Sequence, residues 1–309
     1  MKEKVLILFL LFAPLPLFAD RGSIPFHHHA HIFEPSQRAF VAWNGKREVL
    51  ILSTEKYAST PTRVLEISPF PSEPSIERVD AQIFERSLGK IDRKVQSFLR
   101  EVQDKKRSLP RSADTHWQAL ELRQHERIGV HDIRVFRVIE AGEFTTAVEQ
   151  YFAKEGIDVP SMNPELKKIV ADYIQDGYRY FAFDLIDLGV TAAVLAPVKY
   201  TFNTGHLFYP LRISSLERVQ GRTGRIQLIV LTDLALPDES FTSLSPRKIL
   251  APFAELLRFS ISEIRELNEE IADLFPHRNE LTLRVWKIWG RPAEFRSVDI
   301  IVKPPPPAP

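Results

Sequence analysis

The sequence predicts an α+β fold with a largely antiparallel sheet, and three observations favour this class. Apolar runs separated by short turns occur on both sides of the chain, and connections this short join antiparallel neighbours. Between them lies one long segment with a helical period. The regular alternation of strand and helix that is typical of a doubly wound sheet is missing. We therefore predict an N-terminal hairpin, a C-terminal meander, one long amphipathic helix and several shorter helices.

The segment Met1–Ala19 has the layout of a secretory signal peptide. Lys2 and Lys4 precede an apolar run over Val5–Phe18, and Ala19 supplies the small side chain at which a signal peptidase cuts. The run is short for the ~20 residues that span a bilayer, although an uncleaved membrane anchor is the alternative. The sequence thus predicts an exported protein, periplasmic or extracellular, after cleavage near Ala19.

Composition excludes several classes of function. The chain has no cysteine, which removes disulfides, thiol catalysis and Cys-ligated zinc. After the predicted leader, acidic and basic residues are equal in number, so the net charge provides no general attraction to nucleic acid. No second apolar run reaches the ~18 residues of a transmembrane helix. Common catalytic motifs, such as Gly-x-Ser-x-Gly or His-Glu-x-x-His, are absent from the sequence, so we favour a non-enzymatic protein.

The pattern of periodic segments predicts how the chain is organised. Residues 20–35 contain histidines and two prolines but no period, and we expect a flexible arm there. Residues 36–303 are expected to form a single α+β domain, or two lobes divided near 108–127. Residues 304–309 form a polyproline tail.

The N-terminal part of this domain carries a strong hairpin signal. Asn44 and Gly45 lie between two apolar runs, Ala39–Trp43 and Val49–Leu52, and both turn residues tolerate positive φ. We predict a third strand at Arg63–Ile67, which ends where three closely spaced prolines remove backbone donors.

The long helix is predicted from one apolar stripe. Its members recur at spacings of three and four residues after Asp80, a candidate N-cap, and before Pro110. They are Phe84, Leu88, Ile91, Val95, Phe98 and Val102.

Alternation, caps and turn residues predict the remaining elements. Asn163 is expected to cap a helix that begins with Pro164, and Gly156 and Gly177 are expected to end helices. The predicted helices are 143–154, 164–175, 252–259 and 262–274, the last with Ser262 as a candidate cap. The predicted strands are 128–139, 178–188, 194–202, 207–214, 225–232, 281–289 and 295–302.

Three segments resemble an uncharacterised family of secreted prokaryotic proteins, a domain of unknown function. They are Pro35–Trp43, the Pro-x-Pro-Ser-x-Pro block at Pro69–Pro74, and Phe208–Ser214. Members of this family often carry cysteines near the mature N-terminus, where this chain has histidines. The resemblance covers most of the mature chain and implies secretion and a shared fold, without an activity.

A histidine cluster in the arm is the sharpest local feature. His27, His28, His29 and His31 can present several imidazole nitrogens to Zn, Ni or Cu. Asp20, Glu34 or the new amino terminus could add a ligand. The alternative is a solvated arm whose histidines bind nothing specific.

Three further residues are candidates for catalysis, in a secreted hydrolase that uses Asp184 with His131 or His206. Asp184 interrupts an apolar strand, so it is either a catalytic acid or the structural partner of an arginine, with Arg179 and Arg212 as candidates. His131 shares a strand face with apolar residues and is expected to be a core histidine. His206 lies in a turn, where we expect it to be exposed.

Basic residues dominate the segment from Arg86 to Arg111. If the apolar stripe packs on the sheet, the basic side faces outward and could bind an anionic cell-surface polymer, or it could simply be solvated. The favoured function is accordingly a non-enzymatic extracytoplasmic binding or structural module, with the hydrolase and a divalent-metal-binding protein as alternatives.

Overall fold

The computed structural model describes residues 22–103, 125–216, 224–234, 236, 249–250, 257–290, 295 and 299–303. The predicted leader, the tail and most of the predicted lobe boundary lie outside these residues. The described chain forms two large sheets, a two-stranded ribbon and helices on both outer sides, which agrees with the predicted α+β class.

A nine-stranded sheet forms the larger layer. Its main path runs β13-β15-β12-β2-β3-β10-β5, with β14 paired to β15 and β9 paired to β3. The strands are β2 (Ile32–Trp43), β3 (Arg47–Ala58), β5 (Ser75–Arg78), β9 (Ala193–Val194), β10 (Val198–Asn203), β12 (Gly224–Thr232), β13 (Ile249–Leu250), β14 (Arg258–Ser260) and β15 (Glu280–Gly290).

The predicted N-terminal hairpin is confirmed. Strands β2 and β3 pair antiparallel, and Trp43 lies opposite Glu48 at the turn. Gly45 has φ +87°, and the Asn44 side chain accepts hydrogen bonds from the backbone amides of Lys46 and Arg47. The turn therefore has its predicted physical cause, a glycine at positive φ beside an asparagine that bonds to its own loop.

A five-stranded antiparallel sheet forms the second layer, in the order β1-β4-β8-β7-β6. Its strands are β1 (Ile24–Pro25), β4 (Thr62–Phe70), β6 (His125–Ile128), β7 (His131–Arg137) and β8 (Tyr180–Leu188). Two more strands, β11 (Leu207–Tyr209) and β16 (Ile300–Val302), form the separate ribbon.

The expectation of an irregular arm over residues 20–35 is wrong where the structure describes it. Ile24 and Pro25 pair with Leu65 and Val64, and β2 already begins at Ile32. The sequence conceals this order because β1 is only two residues long and β2 contains a proline and a bulge, so neither start shows a clean period of two.

Two other strand predictions are corrected. The strand predicted over residues 128–139 is present as β7 but begins only at His131, because Gly129 adopts φ +63° and reverses the chain after β6. The predicted C-terminal meander is also wrong, since β8, β10, β11 and β12 join three different sheets and none pairs with another. Strand β12 pairs in parallel with β2, and every other pairing in the described residues is antiparallel.

Helices cover the outer side of each sheet. The helix predicted at Pro164–Gln175 has these bounds in the structure. Asn163 caps it, because its side chain accepts a hydrogen bond from the backbone amide of Leu166. The helix predicted over 262–274 is instead two short helices, and the first is capped by Ser260 rather than Ser262. The helices are α1 (Gln82–Gln103), α2 (Phe144–Lys154), α3 (Pro164–Gln175), α4 (Ile261–Arg265) and α5 (Glu269–Asp273), with a 3₁₀ helix at Arg212–Leu216.

Two differences in the C-terminal region have local causes. The predicted helix over 252–259 is contradicted at residues 258–259, which belong to β14 and pair with β15. The strand predicted at 207–214 ends at Tyr209, because Pro210 cannot donate to a ladder.

Aromatic side chains fill the space between the layers. On the inner side of the nine-stranded sheet, the rings of Phe70 and Tyr200 lie 4.9 Å apart between centroids. On the far side of the five-stranded sheet, Phe144 from α2 packs 5.2 Å from Phe181. On the outer side of the nine-stranded sheet, Phe84 from α1 belongs to a separate apolar cluster with residues of α4 and α5. Each sheet is therefore buried on one side by the other sheet and on the opposite side by helices.

Candidate functional site

The histidine cluster forms a clamped turn, which we call the His turn (residues 27–31). The Ala30 amide donates to the carbonyl oxygen of His27 over 2.9 Å and closes the turn. The His27 amide donates to Thr62 Oγ1, and His31 exchanges two hydrogen bonds with Ser59. The backbone is thus bound at one end to Thr62, the first residue of β4, and at the other end to Ser59 in the β3–β4 connection. All four imidazoles are exposed.

The rings of two of these histidines lie at nearly the distance that two imidazoles have when they bind one metal ion. The ring centroids of His27 and His29 are 6.0 Å apart. Two imidazoles that share a tetrahedral zinc, at zinc–nitrogen distances of about 2.0–2.1 Å, have centroids ~5 Å apart. The two rings are thus only ~1 Å further apart than in such a site, and both side chains are exposed. Within the described ranges, no group of three or more His, Asp or Glu is already arranged to hold a metal, so His28 or His31 must turn inward to complete the site.

Glu34 is not available as the additional ligand that the sequence offered. Its carboxylate is buried and lies 2.7 Å from Lys56 Nζ, in the interior between the sheets. Asp20 and the predicted new amino terminus lie outside the described residues. The nitrogens of the His turn are therefore the donors that the structure offers to a metal.

His131 and Asp184 are brought together on neighbouring strands, β7 and β8. His131 Nδ1 lies 2.6 Å from Asp184 Oδ2, and His131 Nε2 lies 3.1 Å from the carbonyl oxygen of Ala196. Both side chains are buried. Because a carbonyl oxygen can only accept, Nε2 carries a proton and donates it, while Nδ1 shares a proton with the carboxylate. Neither ring nitrogen keeps a lone pair for a substrate.

This pair also corrects the partner predicted for Asp184. The sequence analysis offered Arg179 or Arg212, but the structure places His131 there. Arg212 instead binds Asp176 and Asp299, at 2.7 and 3.3 Å. The prediction of a core histidine at position 131 agrees with its burial, although its polar partner could not be read from sequence because it comes from a strand distant along the chain.

His206 lies apart from this pair, in the turn between β10 and β11. Its ring centroid is 6.3 Å from that of Phe208, and its Nε2 has no hydrogen-bond partner among the described residues. Burial lowers the pKa of His206, and the nearby Lys303 lowers it further. The expectation that it is exposed is wrong, because the ring is largely covered. The structure shows no contact that joins it to His131 or Asp184.

A buried charge cluster was missed by the sequence analysis. Lys56 Nζ, fully enclosed, contacts Glu34, Glu66 and the hydroxyl of Ser23, the last at 3.1 Å. Ser23 Oγ also donates to Glu66 Oε1 over 3.1 Å. We call these four residues the Lys56 cluster. The sequence does contain a sign of this cluster, since Glu66 interrupts an apolar strand just as Asp184 does.

The basic side of α1 is largely neutralised in its described part. Arg86 pairs with Asp80, Lys90 lies 2.5 Å from Glu266, and Lys94 lies 3.1 Å from Glu263. Two of these partners belong to the α4–α5 region, which packs beside the helix. The predicted outward basic face therefore loses three of its cations to internal pairs. The basic residues at positions 105–107 and 111 lie outside the described residues.

A family model covers most of the sequence. The family is described as uncharacterized proteins conserved in bacteria (DUF2330), and its model matches residues 21–235. The chain belongs to this family. The match agrees with the resemblance drawn from the sequence, and it includes the His turn, the Lys56 cluster and the His131–Asp184 pair. The description of the DUF2330 family carries no activity.

Similar solved structures include baculovirus P35. Its crystal structure overlaps 91% of this chain and 99% of its own, with 10% identity and a TM-score of 0.46. The crystal structure of the caspase-8/P35 complex gives 89% and 96% coverage, 10% identity and a TM-score of 0.39. Among curated proteins, none matches this DUF2330 chain. In the described part of the chain, no helix combines the length and apolar character needed to cross a membrane.

Proposed function

We propose that this protein is an exported, non-enzymatic extracytoplasmic binding module that holds a divalent transition metal at the His turn. Export is supported by the basic, apolar and small-residue pattern over Met1–Ala19. The metal class follows from the donors, because imidazole nitrogen suits Zn, Ni and Cu.

One observation carries this proposal: the four histidines lie exposed on a turn whose backbone is fixed to the scaffold. A ligand set on a fixed backbone loses less conformational freedom on binding than the same residues in an unstructured arm. The His27–His29 centroid separation of 6.0 Å is close to the ~5 Å of two imidazoles that share one zinc ion.

Calorimetric titration of the mature protein with Zn²⁺ and Ni²⁺ tests the proposal. We expect saturable binding near one ion per chain, which is abolished when His27, His28, His29 and His31 are all replaced by alanine. His277→Ala is the matched control, because His277 is also exposed but lies at a different site. Equal binding heats for the quadruple variant and the control would refute the metal site.

The hydrolase alternative finds less support in the geometry. A catalytic base needs a lone pair within reach of a nucleophile, whereas both ring nitrogens of His131 already face acceptors. His206 shows no contact with Asp184. We therefore infer that the His131–Asp184 pair serves the stability of the five-stranded sheet.

A further inference from the structure

Among the described residues, the outer side of the nine-stranded sheet extends beyond its helical cover. On β12 and β15, side chains that point outward alternate with those that point to the core. Ile229, Leu231 and Val285 belong to the apolar cluster under α1, α4 and α5. Further along the same side of these two strands, Arg225 and Lys287 are exposed.

Four residues form this uncovered surface, which we call the cationic sheet surface: Arg225, Gln227, Lys287 and Trp289. Arg225 lies directly opposite Trp289 across the two strands, and Gln227 lies opposite Lys287 in the next row. Neighbouring strands are ~5 Å apart, and residues two apart on one strand are ~7 Å apart. The two cations therefore flank an indole, itself 39% exposed, within one small flat area.

The charges of this surface are not cancelled by the described part of the protein. No carboxylate in the described ranges forms an ion pair with Arg225 or Lys287. On the same side of the sheet, the Glu85 carboxylate is already paired with Arg38 and does not pair with Arg225 or Lys287. Glu55, two strands from Arg225 and therefore ~10 Å away, accepts a hydrogen bond from Ser36. Arg225 and Lys287 therefore differ from Arg86, Lys90 and Lys94 of α1, which have carboxylate partners.

We propose that the cationic sheet surface binds an acidic polysaccharide. The apolar side of a sugar ring packs on the Trp289 indole, while Arg225 and Lys287 pair with carboxylate or phosphate groups carried by the chain of sugars. Gln227 lies between them and can bond to hydroxyl groups. This site is separate from the His turn and does not depend on the proposed metal function.

Two features favour a polysaccharide over other polyanions. Proteins that bind duplex DNA commonly neutralise about 6–10 phosphates, whereas this surface offers only the cations of Arg225 and Lys287. A lipid surface requires several exposed apolar side chains, whereas Trp289 is flanked here by Arg225 and Lys287.

Affinity electrophoresis of the mature protein through gels containing alginate, a polymer of uronic acids, tests the proposal. We expect retardation that weakens at high salt and is absent with pullulan, a neutral polysaccharide. Arg225→Glu with Lys287→Glu should weaken binding about tenfold or more, and Trp289→Ala should also weaken it while leaving the fold intact by circular dichroism. The matched control is Arg137→Glu with Lys154→Glu, which changes net charge equally at two other exposed cations.

Several outcomes would overturn the proposal. They are equal retardation of the two double variants, retention by pullulan, or equally tight binding of duplex DNA or anionic phosphatidylglycerol vesicles. Because the His turn stays unchanged in every variant, the zinc titration remains a separate readout, and a failure here leaves the metal proposal standing.

Discussion

At the scale of single residues, the buried titratable groups act as structural partners. His131 and Asp184 satisfy each other between β7 and β8, and Lys56 joins two glutamates. Burying a charge costs free energy unless a partner of opposite charge remains with it. Removing one member of such a pair is therefore expected to cost more than removing both.

The His131–Asp184 pair provides a direct test of this principle. We expect His131→Leu to lower the free energy of unfolding by about 3–5 kcal/mol, because it leaves the Asp184 carboxylate buried without its imidazole. The double variant with Asp184→Leu should lose clearly less than the sum of the two single variants. Urea unfolding of the four proteins measures the coupling, and strictly additive losses would contradict the structural role.

Glu48 gives a pH-dependent prediction. This carboxyl group is fully buried and accepts a hydrogen bond from the backbone amide of Phe208 over 2.8 Å. Burial raises the pKa of Glu48 well above its ordinary value, although the Phe208 hydrogen bond lowers it in part. The folded state therefore prefers the protonated form. This contribution to stability is fully present below the pKa of the unfolded state and is lost as the pH rises through the pKa of the folded state.

Glu48→Gln keeps the shape and the acceptor but removes the titration. We expect the variant to melt at a higher temperature than the natural protein at pH 8, by about 2–4 °C for each kcal/mol recovered, and to lose this advantage near pH 4. Thermal melts at both pH values measure the difference. A gain that is the same at both would show that Glu48 does not titrate with folding.

At the scale of elements, local signals predicted structure where the cause is local. The β2–β3 turn and helix α3 follow from Asn44, Gly45, Asn163 and Pro164, whose effects act over short distances along the chain. The β6–β7 hairpin was missed because Gly129 interrupts a run that otherwise looks continuous. The C-terminal meander was predicted wrongly because strand partners depend on long-range packing, which no short pattern records.

Gly129 is expected to be intolerant of a side chain. It has φ +63°, and a Cβ atom there would lie 3.2 Å from the Cβ of Ala196. Gly129→Ala should lower the free energy of unfolding by about 1 kcal/mol or more. Gly142→Ala is the control, because nothing lies within 4 Å of its Cβ position. Urea unfolding compares the two, and equal stability would contradict the strain.

The Lys56 cluster attaches the start of the described chain to the sheets. Lys56→Met should cost about 3–5 kcal/mol, since two buried glutamates lose their cation. Ser23→Ala should cost only about 1 kcal/mol, since Lys56 keeps both carboxylates. Hydrogen exchange in Ser23→Ala should rise at β1 and its partner β4 more than in the β2–β3 hairpin. Uniform exchange across both sheets would show that Ser23 does not hold this segment.

At the scale of the whole molecule, the candidate site was predictable in part. The four histidines are visible from composition alone, but their attachment to Ser59 and Thr62 is not, because those contacts join segments that are distant in the sequence. The sequence predicted that the basic residues of α1 are free to bind a ligand. In the structure three of them form ion pairs, whereas Arg225 and Lys287 on the sheet form none with the described residues. Lys90 and Lys94 pair with Glu266 and Glu263, which are far from them along the chain, so the sequence pattern of α1 could not show these pairs.

At the scale of the scaffold, the buried charges described here are paired within the fold, and both proposed ligands bind at the surface. Metal binding at the His turn is the first of these proposals. The X-ray absorption spectrum of the zinc-loaded mature protein tests this claim most directly. We predict nitrogen neighbours at about 2.0–2.1 Å with the scattering pattern of at least two imidazoles, lost in the quadruple His→Ala variant but kept in His277→Ala. A spectrum of hydrated zinc alone, or one that the quadruple variant leaves unchanged, would contradict it.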